Sequence, residues 1–296
     1  MLVLVDLDPI VYRAGFAAQS TEYLVTYEKD GEEIANWYNK AGLAKERVLE
    51  LQGEGYQPII EKQITPEPVQ NALYNVKSMM ETTCRDLGVG LDSVIGFLTG
   101  KGNFRFDVAK EKPYKGNRDE THKPVHAQAI KDFMIKTYEV VISENCEADD
   151  LLSIYQHESR DRGEDSVICT IDKDLDMVPG FHYNYAKRVS YYIADCDAPV
   201  YFWRQMLVGD TVDNIPGIKG IGKKTAEKML PFIDDPPHYT EYEMYEIVRE
   251  AYLKEYGDRA DDMILEVGRL LWMQTYHGEM WMPPKPDTEW TYEDAR

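Results

Sequence analysis

The stretch Glu147–Asp176, EADDLLSIYQHESRDRGEDSVICTIDKDLD, decides the fold because it sets six carboxylates at the two ends of one helix-to-strand unit. Glu147, Asp149 and Asp150 open it, and Asp172, Asp174 and Asp176 close it. Leu151, Leu152, Ile154 and Tyr155 recur at helical spacing, and Gly163 supplies a stop signal, so the first trio sits in a helix's opening turn. Val167 to Ile171 is a short apolar run of the kind buried in a parallel sheet, and it delivers Asp172 to its C-terminal end. In open α/β sheets ligands collect beyond those strand ends, so both trios can face one crevice. Acids at a helix start also cap it and complement its dipole. Capping does not account for Asp172 and Asp174 after the next strand. Crowded carboxylates repel unless protonated or neutralised, and hard oxygen donors without Cys or His point to Mg²⁺ or Mn²⁺.

Working outward, Met1 to Val5 is a short strand that brings Asp6 to the same crevice, ahead of a helical pattern through Ile10, Val11, Ala14 and Ala17. Asp6 or Asp8 capping that helix is the plainer alternative. Residues 20–65 look like an insertion: Tyr23 to Tyr27 alternates, Lys29-Asp30-Gly31 marks a turn, and Ala41 to Leu51 is helix-compatible. A helix from Glu67 to about Leu87 and a strand from Ser93 to Leu98 follow, then a helix over 124–137 and a strand from Tyr138 to Ile142. Strands alternating with helices predict an α/β fold with a mostly parallel central sheet flanked by helices. The tyrosines at 183, 185, 191, 192 and 201 read as sheet and core. Helical patterns cover about 241–256 and 261–274, with Leu270 to Met273 packing inward.

The chain has 296 residues and a formal charge of −20, which argues against coating nucleic acid by net charge. Any nucleic acid must meet local basic patches. One such patch is Lys101 to Lys123, where Lys101, Arg105, Lys110, Lys112, Lys115, Arg118 and Lys123 interleave with Phe104, Phe106 and Tyr114. Basic groups that neutralise phosphate, beside aromatics that stack on bases, suit single-stranded nucleic acid. Asp107, Glu111, Asp119 and Glu120 dilute the patch, and a solvated charged face is the alternative. A second informative stretch is Gly209–Leu230, GDTVDNIPGIKGIGKKTAEKML. Asp210 and Asp213 are three apart, as on one face of a helical turn. Gly217-Ile218-Lys219-Gly220-Ile221-Gly222 is a tight turn before a helix, whose amides can hold a phosphate oxygen among Lys219, Lys223, Lys224 and Lys228. Four scattered cysteines without metal spacing predict a reduced, cytoplasmic chain. No apolar run reaches membrane length, and the N-terminal run has acids and no basic leader, so no membrane partner is expected.

Pro113-Tyr114-Lys115-Gly116-Asn117-Arg118, Glu147-Ala148-Asp149-Asp150, Thr170-Ile171-Asp172-Lys173-Asp174 and Gly209-Asp210 through Thr225 occur in an order that resembles the flap endonuclease family. Within it the chain looks like a bacteriophage 5′–3′ exonuclease, related to the 5′-nuclease domain of bacterial DNA polymerase I. The resemblance runs from Asp6 to about Leu271, apart from the 20–65 insertion. It implies a PIN-like catalytic domain over 1–200 with a helical arch at 101–135, and a helical DNA-binding region over 201–296 with a helix-three-turn-helix. Two Mg²⁺ or Mn²⁺ ions are implied, often with a K⁺ in the 217–222 hairpin. Asp6, Glu147, Asp149 and Asp150 resemble the first ion's ligands, and Asp172, Asp174, Asp210 and Asp213 the second's. Lys115 and Arg118 resemble residues that contact the scissile phosphate, and with Asp6, Asp150 and Asp172 they form the implied catalytic group. Tyr114, Lys115, Arg118, Gly217, Gly220, Gly222, Lys223, Lys224 and Thr225 are the implied DNA contacts. The expected partner is duplex DNA with a 5′ end or flap, acted on by a monomer in the cytoplasm of a phage's bacterial host. The rival readings are a non-catalytic DNA-end-binding protein and a PIN-type RNase. One departure stands out: where the family ends its second core strand with an aspartate, this chain reads Phe97-Leu98-Thr99-Gly100, and Gly100 is the equivalent position.

Overall fold

A computed structural model describes residues 1–117, 123–233 and 238–286. The elements in chain order are β1 (Leu2–Asp6), α1 (Asp8–Ala17), β2 (Gln19–Lys29), β3 (Glu32–Tyr38), α2 (Ala41–Gly53), β4 (Ile59–Pro66) and α3 (Val69–Leu87). Next come β5 (Val94–Lys101), α4 (Arg105–Val108), α5 (Ala127–Thr137), β6 (Glu139–Glu144), α6 (Ala148–Asp161) and β7 (Ser166–Cys169). The chain closes with β8 (Gly180–Asn184), β9 (Val189–Ile193), α7 (Ala198–Val208), α8 (Lys223–Met229), α9 (Glu241–Tyr256) and α10 (Ala260–Leu271).

The chain forms two compact units. The first comprises Met1–Pro9, Thr83–Thr121 and Tyr138–Arg296, and the second Ile10–Thr82 and His122–Thr137. Within the first unit, Leu4, Phe97 and Ile168 of the sheet share one hydrophobic core with Trp203, Tyr252, Ile264 and Leu271 of the C-terminal helices. The first unit holds a six-stranded sheet in the order β6-β5-β1-β7-β8-β9. The strands from β6 to β8 pair in parallel, and β9 returns antiparallel at the edge. β1 and β7 sit at its centre, which is why Leu2–Val5 and Ser166–Cys169 are nearly unbroken apolar runs. Leu151, Leu152 and Ile154 bury the inner face of α6, and Tyr155 meets Phe97 edge-to-face at 4.9 Å.

The 20–65 insertion folds as the three-stranded antiparallel sheet β3-β2-β4 in the second unit. Its small core is Val25, Ala44 and Leu51, with Tyr23, Tyr27, Tyr38, Val48 and Tyr56 against it. The expected arch region, 101–135, carries the one-turn α4 and, in the other unit, most of α5; residues 118–122 lie outside the described ones. Among the described residues no helix is long and apolar enough to cross a membrane.

Candidate active site

The strand ends of β1 and β7, the first turn of α6 and the loop after α7 converge on an open cleft of about 640 Å³. Glu147, Asp149, Asp172, Asp174, Asp210 and Asp213 line it, together with Lys115. Asp6 lies below at the end of β1, 2 % exposed, and its Oδ2 accepts a 2.8 Å hydrogen bond from the Thr170 hydroxyl. Burial, and then the nearby charges of Asp8 and Asp172, push its pKa up to about 8, against the pull of Thr170. Burial likewise raises Asp149 well above the usual carboxylate range, with Asp6 and Asp172 adding repulsion. Asp174 is pushed up to about 7 by burial and by Asp172, Asp210 and Asp213, while Gln205 Nε2 donates to its Oδ1 at 2.9 Å. Asp172 therefore acts on both groups of acids, and the carboxylates behave as one electrostatic cluster.

Among the described residues, no three Asp, Glu, His or Cys side chains stand close enough to enclose an ion as they are. Their chemistry nevertheless fits a divalent cation. They offer hard oxygens, and the excess negative charge that raises Asp6, Asp149 and Asp174 is what a Mg²⁺ or Mn²⁺ would neutralise.

Asp150 differs from its neighbour. It is fully buried and faces away from the cleft, paired with Arg105 through two hydrogen bonds of 2.6 and 2.8 Å. Its Oδ2 also accepts from the Glu147 amide at 2.9 Å, and its Oδ1 from the Gln274 amide at 3.2 Å. With both oxygens doubly engaged, Asp150 has no lone pair for an ion, so its expected places among the metal ligands and the catalytic group give way to a positioning one. Arg105, read from the sequence as part of a phosphate-facing patch, is 1 % exposed. Its guanidinium also donates to the carbonyls of Leu270 and Trp272, at 2.9 and 2.7 Å. Burial alone would lower its pKa, but the Asp150 carboxylate outweighs that and holds the proton.

Tyr114 departs from expectation in a similar way. It is 4 % exposed, with its ring against Phe106 and its hydroxyl donating to Asp213 Oδ2 at 2.9 Å, so it is placed to orient acids rather than to stack on DNA. Lys115 does reach the cleft, where its Nζ pairs with Glu147 and lies 3.6 Å from Asp213. Arg118 lies outside the described residues.

The turn at 113–117 is strapped to the turn after α7. The Lys115 amide donates to the Asp213 carbonyl at 2.9 Å, Asn117 Nδ2 to the Thr211 carbonyl at 2.7 Å, and Asn214 Nδ2 to the Pro113 carbonyl at 2.9 Å. Asp210 and Asp213 thus come together through a closed turn, not the expected helical one. Asp210 pairs with Ile215 across it, and Asp210 Oδ1 accepts from the Val212 amide at 2.7 Å. Short polar side chains compete with a helix in this manner. Gly217 runs so close to α7 that a Cβ there would meet the Val208 carbonyl at 2.0 Å, whereas Gly220 has φ +81° in open space. Gly222, Lys223, Lys224 and Thr225 are exposed at the start of α8.

Gly100 is no substitute site for an acid. Its amide donates to Ser143 Oγ at 3.1 Å, and a Cβ would fall 2.2 Å from the Ser143 carbonyl oxygen. At this strand end Thr99 accepts from the Ala148 amide at 3.0 Å, capping α6, while the Thr99 amide donates to Asp8 at 2.9 Å. Sequence reasoning missed Asn103, whose Nδ2 donates to Glu147 at 2.9 Å, and Gln205; nothing in their local pattern marks them.

No family model matches the chain. It is 29% identical over 156 residues to DNA polymerase I of Bacillus caldotenax, covering 46% of this chain and 17% of that one. Against DNA polymerase I of Rhizobium leguminosarum it is 36% identical over 100 residues, covering 30% and 10%. The chain thus spans less than a fifth of the length of these relatives, and the matches bear out the resemblance read from its motifs. Among solved structures, T5 5′-exonuclease with bound zinc aligns with 90% of this chain and 99% of that one, at 15% identity and a TM-score of 0.48. A T5 D15 flap endonuclease complex with DNA and metal ions aligns with 66% and 90%, at 18% identity and a TM-score of 0.41.

Proposed function

We propose that the chain is a metal-dependent 5′–3′ exonuclease and flap endonuclease that hydrolyses DNA phosphodiesters. The observation that carries this reading is the cluster of mutually repelling carboxylates in one cleft, with Lys115 set among them. Two divalent ions bound there, on the order of 4 Å apart, would activate water and stabilise the leaving oxygen. Asp6, Asp149 and Glu147 would hold one ion, and Asp172, Asp174, Asp210 and Asp213 the other. Lys115 would exchange its carboxylate partners for the scissile phosphate and stabilise the charge that develops on it. Tyr114 and Asn103 would keep Glu147 and Asp213 in place, and Arg118 would join Lys115. The exposed start of α8, with Lys223, Lys224 and Thr225 after Gly220 and Gly222, would grip a duplex phosphate, with K⁺ in the 217–222 hairpin. The division of roles between 1–200 and 201–296, a monomeric state and work in the cytoplasm of a phage's host belong to the same proposal.

The test is to incubate the full chain with end-labelled duplex, 5′-flap and RNA substrates, with Mg²⁺ or with EDTA. Release of 5′ products from DNA only with Mg²⁺ is the expected result. Binding without cleavage would favour a DNA-end-binding protein, a reading to which Gly100 and the engaged Asp150 lend weight. Preference for RNA would favour a PIN-type RNase.

A further inference from the structure

Among the described residues, the sheet β3-β2-β4 packs a helix, α2, against one face. Val25, flanked by Tyr23 and Tyr27, turns toward Ala44 and Leu51 of α2. The pleat sends the alternate residues to the opposite face. There Leu24 lies between Trp37 and Glu61, and Thr26 between Ala35 and Ile59. This face stays open: Trp37 is 52 % and Ile59 61 % exposed. An exposed tryptophan and an exposed isoleucine on the two outer strands, with Leu24 and Thr26 of the middle strand between them, have the composition of a recognition surface.

Its charges are of one sign. Glu22, Glu28, Glu33 and Glu61 occupy this face, and its paired strand positions carry no Lys or Arg. Glu28 and Glu33 are direct cross-strand partners, an arrangement of like charges that weakens a sheet unless a cation answers it. None of the four glutamates pairs with a basic side chain among the described residues. Phosphate backbones and anionic membranes would be repelled here. A second copy across a two-fold axis would set glutamates against glutamates.

We propose that this face docks a basic segment of another protein, which lays apolar side chains on Trp37 and on Ile59 and sets Lys or Arg groups among the four glutamates. The interaction uses none of the residues that line the acid cleft and attaches the chain to a partner of opposite charge.

The test uses the full chain and a short fluorescent peptide of alternating leucine and lysine, titrated by anisotropy at physiological salt, with a leucine–glutamate peptide as control. The expected result is saturable one-to-one binding of the lysine probe alone. It should weaken at least tenfold in Trp37→Ala and in Glu33→Lys with Glu61→Lys, with unchanged thermal melting. If Trp37→Ala melts early, the double charge reversal, which touches only exposed side chains, carries the test. Equal affinity for wild type and the reversal variant would overturn the proposal, because attraction to the −20 chain as a whole would then explain the binding. Binding of the glutamate probe, or a dimer in sedimentation that Trp37→Ala breaks, would overturn it as well.

Discussion

Asp149 and Asp150 are neighbours in the chain, yet they belong to two regions that handle buried charge in opposite ways. Asp150 sits in a dry clamp with Arg105, where an internal cation and four hydrogen bonds answer its charge. Asp149 sits with Asp6 and Asp172, none of which pairs with a cation among the described residues, and its pKa rises. Burying a carboxylate costs several kcal/mol unless it is paired. The clamp meets that cost with the fold's own residues and is structural. The cleft leaves it to a proton or to an external ion, which is how a site built for metal differs from an ion pair built for stability.

The sharpest way to break this contrast is to neutralise acids in the cleft. Asp172→Asn with Asp174→Asn should lower cleavage by about 10³-fold or more, since metal stabilisation of the transition state is worth several kcal/mol at about 1.4 kcal/mol per tenfold. The melting temperature in EDTA should hold or rise, because repulsion is relieved. Wild-type turnover in a labelled-duplex assay would remove these acids from the mechanism.

The clamp should respond the other way. Arg105→Ala strands Asp150 without a partner and should destabilise the chain by about 3–5 kcal/mol. Arg105→Met with Asp150→Leu should recover much of that loss. Denaturant unfolding of both variants measures the difference, and an equal loss in the two would show that the pair is not the source.

A third measurement separates proton from ion. Asp6 and Asp174 have folded pKa values of about 8 and about 7 against an unfolded 3.8, so the folded state binds more protons between those limits. Their contribution is full below pH 4 and is lost as pH rises through 7 and 8. In EDTA the melting temperature should therefore fall between pH 5 and 8, and saturating Mg²⁺ should flatten the fall. A flat profile in EDTA would mean that the cleft carboxylates are not strained.

The smallest effect belongs to the exposed start of α8. Lys223→Ala with Lys224→Ala should leave melting unchanged and reduce the log–log salt slope of duplex binding by about 0.9 for each phosphate no longer neutralised. An unaltered slope would make these lysines a solvated face.

The crevice was legible in the sequence because it depends on local pattern. The apolar runs of β1 and β7 and the helical spacing after Glu147 place Asp6, Asp149 and Asp172 at element ends without knowledge of the whole fold. What escaped the reading depends on partners far along the chain. Arg105 and Tyr114 look like members of a basic, aromatic patch until α10 and the 210–215 turn enclose them. The spacing of Asp210 and Asp213 suits a helix, and only the pairing of Asp210 with Ile215 shows the turn. Gly100 answers to the Ser143 carbonyl on the adjacent strand, which no periodicity reveals.

The reach of Arg105 to the Leu270 carbonyl spans 165 positions of sequence, and it gives the chain a timetable. At the ordinary pace of synthesis, about 5–20 residues per second, roughly 8 to 33 seconds separate the making of the two ends. Once Asp213 is made the nascent chain holds all its cleft acids, but it still lacks the carbonyls that seat Arg105 and, through Asp150, the first turn of α6. On the proposed nuclease reading, the chain is expected to stay inert on the ribosome until its last long helix emerges. Arrested ribosomes carrying chains that stop short of Leu270, assayed on end-labelled duplex, should show no cleavage, and cleavage by them would mean that the cleft organises itself without the clamp.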